Sequence, residues 1–522
     1  MAEIFAHGLS SVGQRTERTN TPHVNKTVLF LMTVGIFGVS SLLVLTYGNI
    51  FAAAAFALLT VVITLTLFRV EWGFYLFVGF VLLFDQFGIP GFDPITLKAS
   101  YFLNLKEIPY LPTFNAAVFN PLELHLLFIA VVWFGVICFR KNSHLNHIPS
   151  WGTVVVLFLG LIASVVYGLK KGGDFLPALW EVRALFYFGA MYTLVPQIVQ
   201  TEKDLRMLLW VCIIAISVKA FQAIVRFVHL GLSFRGIATL TNHEDPVFMF
   251  TLIVLLFALV LFEVKSGQRL ALVFLLLPLL LAFFAGQRRA AYAAVVPTLV
   301  AFFVLLPSRQ TWAFVKGAFP VLMVIGLYVG ILWNSESKLA SPVKLIKTAL
   351  THDKAEEGDR YYSNLYREQE KYDLAQTVKT SPLIGIGFGN KYLQPIKLVP
   401  IAFPLRDYIP HDEVLWLIVK TGAAGYFLFW FFLDCFACNG AGVFMRLQNP
   451  YLKAVCALAV VAAVNQIVVS YYDLQLTYYR NMVYLGTLMG LVPALEYIDT
   501  AGAAEQAADA EKEHNENLFE GK

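Results

Sequence analysis

Residues 410–430 read Pro-His-Asp-Glu and then VLWLIVKTGAAGYFLFW. A polar segment ends on His411, Asp412 and Glu413, and an apolar run starts at once. The run is long enough to cross the hydrocarbon core of a bilayer, which takes about 20 apolar residues. It carries a Gly-x-x-Gly step at Gly422 and Gly425. A titratable imidazole therefore stands where a polar loop meets a membrane helix.

The same alternation runs along the whole chain. Of 522 residues, 58% are hydrophobic and 14% charged, and the mean hydropathy is +0.67. A soluble domain cannot hide that much apolar surface. In lipid every backbone N–H and C=O must bond within its own segment, so helices are the expected spanning form. The expected fold is all-α, a polytopic integral membrane helix bundle of about fourteen transmembrane helices. The spans are expected at 27–47, 49–68, 71–88, 120–139, 151–168, 178–199, 203–229, 245–263, 269–285, 289–306, 312–333, 413–437, 450–471 and 475–496.

This divides the chain into a cytoplasmic segment 1–26, helices 1–11 over 27–333, an extracytoplasmic loop domain 334–412, helices 12–14 over 413–496, and a tail 497–522. The tail is acidic and Ala-rich and is expected to be cytoplasmic and largely disordered. Residues 1–26 are polar and the first apolar run is a full span, so no cleavable leader is expected. The net charge of +4 is small and does not point to nucleic acid.

Lys and Arg in short loops set the orientation. Arg15, Arg18 and Lys26 precede the first span. Arg69, Arg140 with Lys141, Lys203 with Arg206, Lys265 with Arg269, Arg309 and Arg446 fall in alternate short loops. With both termini cytoplasmic, these lie on one side. The opposing loops hold fewer cations, chiefly Lys170, Lys171, Arg235, Arg288 and Arg289. Arg235, Arg288, Arg289 and His411 then share the non-cytoplasmic face with loop 334–412. Exposed loops often carry charge for solubility alone, but arginines on the face that the positive-inside bias disfavours ask for a second reason.

Within the long loop, residues Asp359 to Thr380 have a helical pattern. Tyr361, Leu365, Tyr372, Leu374 and Val378 supply its apolar positions. SPLIGIGFGNKYL then breaks it with Pro382, Gly385, Gly387 and Gly389. A nucleotide-loop reading of the glycines fails, because they follow no strand of a βαβ unit and lie outside the cytoplasm. A tight turn that brings backbone close to its neighbours fits better.

Four segments taken in order resemble the O-antigen ligase and O-antigen polymerase superfamily of bacterial envelope polysaccharide assembly. They are FRGIATLTNHEDP, AGQRRAAYAAVV, SPLIGIGFGN and HDEVLWLIVKTGAAG. The first is similar to the family's arginine-plus-Asn segment before a span, and the second to its small-Arg-small step at a helix start. The third is similar to the family's glycine turn, and the fourth to its histidine followed by Gly-x-x-Gly. The resemblance covers roughly residues 180 to 440. Asp412 stands where the family usually has Asn or Ser, and the doubled Arg288-Arg289 leaves open which one matches the family's arginine.

The resemblance implies glycosyl transfer at the periplasmic face of the bacterial inner membrane. The donor would be an undecaprenyl-diphosphate-linked glycan, and the acceptor a sugar hydroxyl on a lipid-linked repeat or on lipid A-core. Membrane lipids are the other partners, and no cofactor or metal is implied. His411 suits a general base, since histidine ordinarily titrates near neutrality. Arg235, Arg288 and Arg289 suit the diphosphate, because guanidinium offers a fork of donors and a permanent charge. Asp412 is a supporting candidate. Attack opposite the diphosphate would invert the anomeric configuration. A cavity open to the outer leaflet is expected, lined by these junctions and covered by the loop.

Other polar residues carry two readings each. Lys219, Gln222 and Arg226 share one helical face. A cation at mid-bilayer costs about 2.5–3.5 kcal/mol on insertion scales, so such residues are candidates for function. Arg226 either serves the site or extends to the outer interface. Lys219 either lies near the diphosphate or pairs with Glu181, and Glu181 and Arg183 could pair within the bundle. Asn242, His243, Glu244 and Asp245 resemble a loose metal cluster but lack ligand spacing, so helix capping by Asn242 or Asp245 is expected. Cys435 and Cys438 form one CxxC without partners, and the cysteines read as packing residues. Within the resemblance a polymerase is slightly favoured over a ligase by the extra spans. A transporter or flippase of lipid-linked saccharide is the alternative, and would favour inverted repeats and broken helices at mid-membrane.

Overall fold

The computed structural model describes residues 35–520 apart from 36, 39, 42, 45, 47, 90, 109–117, 140–144, 232–239, 336, 338–339, 341–342, 345–346, 348–358 and 402. The chain forms two units, Met1–Val61 and Val62–Lys522. The described part of the first holds helical turns within 35–44 and most of α1, Ile50–Phe68.

The larger unit continues with α2 (Val70–Leu83), α3 (Pro121–Phe139), α4 (Trp151–Lys170), α5 (Phe175–Ile198), α6 (Glu202–His229) and α7 (Asp245–Leu261). Next come α8 (Gly267–Ala285), α9 (Arg289–Leu305), α10 (Ser308–Leu332) and the loop helix α11 (Asp359–Thr380). The chain closes with α12 (Glu413–Arg446), α13 (Pro450–Tyr472) and α14 (Tyr479–Glu520). Among the described residues no strand forms. Each expected span from residue 49 onward overlies one of these helices, and the first, 27–47, lies largely outside the described residues.

Among the described residues six helices are long and apolar enough to cross a membrane: α3, α4, α6, α8, α12 and α13. Helices α2, α7 and α9 are apolar but shorter. The chain is a helical membrane protein. The buried centre is α13, whose alanines, among them Ala454, Ala457 and Ala459, let neighbouring backbones approach. Gly486 and Gly490 do the same for α14 against α5. A Cβ on Gly486 would stand 2.6 Å from the Phe188 carbonyl oxygen.

Loops that the charge pattern assigns to one side do meet at one end of the bundle. At one end Asn449 donates to Glu202 (2.8 Å), and the Arg206 guanidinium lies 3.8 Å from the Tyr451 ring centre. Tyr451 in turn donates to Gln268 (2.8 Å). At the other end Tyr408 donates to Asp174 (2.7 Å), and the Tyr479 N–H to Gln86 (2.9 Å).

Helix α12 is broken at Gly422, where φ is 64° and ψ is −171°. Side chains rarely tolerate that backbone conformation, so the glycine permits the break. The freed backbone groups do not go unpaired. Ile386 N–H donates to the Val419 carbonyl (2.8 Å) and Gly387 N–H to the Lys420 carbonyl (3.0 Å). In return Ala423 N–H donates to Pro382 O (2.8 Å) and Ala424 N–H to Leu383 O (3.0 Å). The expected glycine turn is the plug of this break. Gly385 has φ 69°, and a Cβ there would stand 2.5 Å from the Lys420 carbonyl.

Helix α14 continues through the expected disordered tail to Glu520. Ala and Glu are strong helix formers, and that composition extends a helix already nucleated in the bundle.

Candidate active site

The loop helix α11 organises the end of the bundle that carries His411. Glu370, almost fully buried, accepts from the His411 backbone N–H (2.9 Å) and lies 3.1 Å from His411 Nδ1. The Tyr366 ring sits edge-on to the imidazole, 5.6 Å between centres. Burial and the Glu370 carboxylate push the Tyr366 hydroxyl up to about 12, so it stays protonated beside the histidine. A carboxylate on Nδ1 fixes the tautomer with Nε2 as the basic nitrogen.

Further along the same helix, Lys371 stands 3.4 Å from Asp412 and 4.1 Å from the Tyr471 ring centre. Asp412 caps α12 by accepting from Leu415 N–H (3.0 Å). Burial pushes its carboxyl up, against the opposing pull of that N–H and of Lys371. Asn364, one to two turns earlier, accepts from Arg289 (2.6 Å). At a rise of about 1.5 Å per residue, Asn364 and Glu370 are about 9 Å apart along the helix. One element thus joins Arg289 to His411.

A second tie comes from Glu413. Its buried carboxylate takes the N–H groups of Gln475 (2.5 Å), Leu476 and Thr477 (3.1 Å), and the Thr477 hydroxyl (2.6 Å). That clamps loop 473–478 beside His411. The loop carries Asp473, which accepts from His243 Nδ1 (2.9 Å) and lies 3.9 Å from Arg288. Burial pushes the Asp473 carboxyl up, but the cationic neighbourhood of His243, Arg288 and Arg367 outweighs it and holds the group well below the usual carboxylate range.

The doubled arginine is thereby divided. Arg288 faces Asp473, and Arg289 holds the loop helix. Arg235 lies outside the described residues. His411, Asp412, Arg288 and Arg289 are brought to one end of the bundle.

The buried cations of α6 are engaged elsewhere. Lys219 pairs with Asp85 and not with Glu181. Asp85 also accepts from Asn242 (2.6 Å) and Thr96 (2.5 Å). Arg226 is buried instead of reaching an interface. It donates to the Leu240 carbonyl (3.0 Å), and its guanidinium lies 4.8 Å from the Phe92 ring centre. The loop 84–104 folds back over α6 and gives both cations partners, which removes the need to reach water.

Glu181 and Arg183 do not pair. Glu181 meets Lys420 (2.7 Å), both fully buried, and also accepts from Gly389 N–H (2.6 Å) and Trp416 (3.3 Å). Arg183 pairs with Glu123 (3.0 Å) and donates to Asn104 (3.0 Å). Residues two apart on a helix point in different directions, so each meets its own partner.

The run Asn242–Asp245 also separates. Asn242 goes to Asp85, His243 to Asp473, and Glu244 and Asp245 to Arg480 at 2.6 and 2.8 Å. Glu244 occupies the N-cap position of α7 without a side-chain cap bond, so the expected capping does not occur in that form. Asp245 instead accepts from Asn242 N–H (3.1 Å), just ahead of the helix. All five cysteines are free, Cys435 and Cys438 included.

Glu370, Asp473, Arg367, Lys420 and Arg480 escape a reading of the sequence. Arg480 left the clearest signal, a cation inside an expected span. Glu370 left a fainter one, the polar stripe Asn364, Arg367, Lys371 on the helical pattern. One cavity of about 30 Å³ is not lined by His411, Arg288 or Arg289. It is apolar and is lined by Leu157, Leu161, Val414, Leu417, Phe432 and Ile467 among others.

Residues 270–430 match a family model described as O-antigen ligase. No curated protein matches the chain. The matched segment contains Arg288, Arg289, the loop helix, the glycine turn and His411. Residues 270–430 are thus similar to O-antigen ligases, and the match supports an O-antigen ligase/polymerase family for the chain.

Proposed function

We propose that this protein is an inverting glycosyltransferase of the bacterial inner membrane, with its site facing the periplasm and about fourteen membrane crossings. It passes a glycan from undecaprenyl diphosphate to a sugar hydroxyl, in O-antigen or exopolysaccharide assembly. The observation that carries the reading is the His411–Glu370 pair, joined by one helix to Arg289 and by one short loop to Arg288.

The acceptor hydroxyl gives its proton to His411 Nε2 as its oxygen attacks the anomeric carbon. The bond from that carbon to the diphosphate oxygen breaks. Undecaprenyl diphosphate leaves with the bonding pair, and Arg288, together with Arg235, takes up its charge. Glu370 holds the imidazole in place and stabilises the imidazolium that forms. Arg289 acts through Asn364, keeping α11 over the site. The charge stabilisation that a divalent ion gives many phosphate-handling enzymes comes from arginine in this scheme, so the reaction is metal-independent. Lys219 and Arg226 support the fold beneath the site, and Asp412 starts the helix that presents His411.

The break in α12 bears on the alternative reading, a transporter or flippase. Discontinuous helices in transporters expose backbone groups to substrate or ions. Here the turn 382–389 occupies those groups, which favours the enzyme. A polymerase is favoured over a ligase by the extra spans at both ends of the matched segment.

The test is purified protein with a defined undecaprenyl-diphosphate glycan, offered another lipid-linked repeat or lipid A-core. Growth of lipid-linked chains supports the polymerase, and transfer to lipid A-core the ligase. Movement of donor across proteoliposomes without a new glycosidic bond overturns the enzyme reading.

A further inference from the structure

Asp473 gathers more positive charge than one carboxylate needs. His243 donates to it from Nδ1 at 2.9 Å, Arg288 stands at 3.9 Å, and the charge of Arg367 reaches it from the loop helix. Among the described residues, the Nε atoms of Arg288 and Arg367 are buried without a hydrogen-bond partner. Such groups cost about 1–3 kcal/mol when left unsatisfied, and a further acceptor at the site would remove that cost.

The three side chains come from three separate parts of the chain. His243 precedes α7, Arg288 precedes α9, and Arg367 lies on α11 between Asn364, bound to Arg289, and Glu370, bound to His411. His243 packs against the Tyr478 ring, 5.8 Å between centres, and its Nδ1 is committed to Asp473. Nε2 is then the ring atom that can serve a ligand. Side-chain exposure of His243 is 33%, against 5% for Asp473. The carboxylate is the buried anchor, and the imidazole is the more accessible group.

We propose that Arg367 and His243 contact the donor's diphosphate together with Arg288, so that the soluble loop itself supplies part of the anion site. This rests on the glycosyl-transfer reading above and extends its diphosphate site by two residues. Two arginines and a histidine suit a diphosphate, which offers several charged oxygens spread over two phosphorus centres. Placing one cation on α11 puts a donor contact on the element that seats Glu370 beside His411. A donor that engages Arg367 is held by the same helix that orients the base.

The experiment measures binding of farnesyl diphosphate, a short prenyl diphosphate, to the full-length protein in lipid nanodiscs. Farnesyl monophosphate serves as the lower-charge control. Arg367→Gln and His243→Asn should each weaken diphosphate binding about tenfold or more, as expected for loss of a charge-assisted contact. Arg367→Lys should recover part of the loss. Lys379→Gln removes an exposed cation from the far end of the same helix and should leave binding unchanged. Thermal melting of each variant checks that it is folded. Should Arg288→Gln weaken binding while Arg367→Gln and His243→Asn stay within about twofold of the parent, the two added contacts are refuted and the arginine site stands. An equal loss in Lys379→Gln reduces the effect to general surface charge and also refutes them. Unchanged binding in Arg288→Gln as well overturns the underlying diphosphate site.

Discussion

Replacing Glu370 by Gln removes one charge and keeps the shape of the side chain. The Glu370 carboxylate serves two donors, the His411 backbone N–H at 2.9 Å and Nδ1 at 3.1 Å. Both donors reach the same oxygen, Oε2, and Nδ1 also lies 3.3 Å from Oε1, so a glutamine either keeps both on its one uncharged oxygen or turns its NH2 group toward them. If the NH2 group takes the Oε2 position, Nδ1 loses its acceptor and the tautomer that leaves Nε2 basic is no longer favoured. The imidazolium formed on proton transfer also loses its counter-charge. A hydrogen bond to a charged group contributes about 1.5–3 kcal/mol, which is about 10- to 150-fold in rate. In serine protease triads the wrong tautomer alone costs up to about 10⁴-fold.

Between these bounds, Glu370→Gln should lower kcat about 10²- to 10³-fold. The donor KM should move less than about threefold, because Glu370 meets the base and not the diphosphate. Glu370→Asp keeps the charge at shorter reach and should recover part of kcat, and His411→Ala sets the floor. The assay is initial-rate glycosyl transfer from the defined lipid-linked donor, with melting curves for every variant. A folded Glu370→Gln protein with kcat within about twofold of the parent refutes the orienting role. A loss confined to donor KM refutes it too, since uniform binding and base orientation fall on different kinetic parameters.

Three further outcomes follow from the same geometry. Gly385→Ala forces a side chain into positive φ and to 2.5 Å from the Lys420 carbonyl, so it should unseat the plug of the α12 break and reduce folded yield sharply. A normal melting curve would contradict that. Glu181→Gln or Lys420→Met alone leaves a buried charge without its partner and should destabilise by about 3–5 kcal/mol, whereas the double variant should regain most of the loss. Equal instability of the double and single variants would show that the pair's charge is not the cause. Asp473 has a depressed carboxyl, so its contribution is fully present above the unfolded value of about 3.9 and is lost as pH falls through the folded value. The stability gap between the parent and Asp473→Asn should therefore be present at about pH 5 and shrink below about pH 4. A gap that stays unchanged from about pH 5 down to about pH 2 would show that the carboxylate is not held by cations.

What was legible in the sequence is what depends on a run of neighbours. The spans are apolar runs, the glycine turn is three glycines in five residues, and His411 sits at a junction between polar and apolar chain. Each is fixed by local physics: lipid enforces helices, positive φ enforces glycine, and charge bias sorts the loops. What was not legible is which charge meets which. Lys219 has Asp85 as partner across 134 positions, and the Trp416 ring reaches Glu181 across 235. Cost per buried charge says that Lys219, Lys420 and Arg480 must each have a partner, but not where along the chain it lies. The carboxylates proposed here to matter most, Glu370 and Asp473, sit in polar loop segments, where an acidic side chain carries no cost that flags it. Only the fold turns them from solvated surface groups into buried acceptors. A sequence reading therefore finds the histidine and the arginines first, and the residues that orient them last, because orientation is a property of the three-dimensional contact and not of the residue.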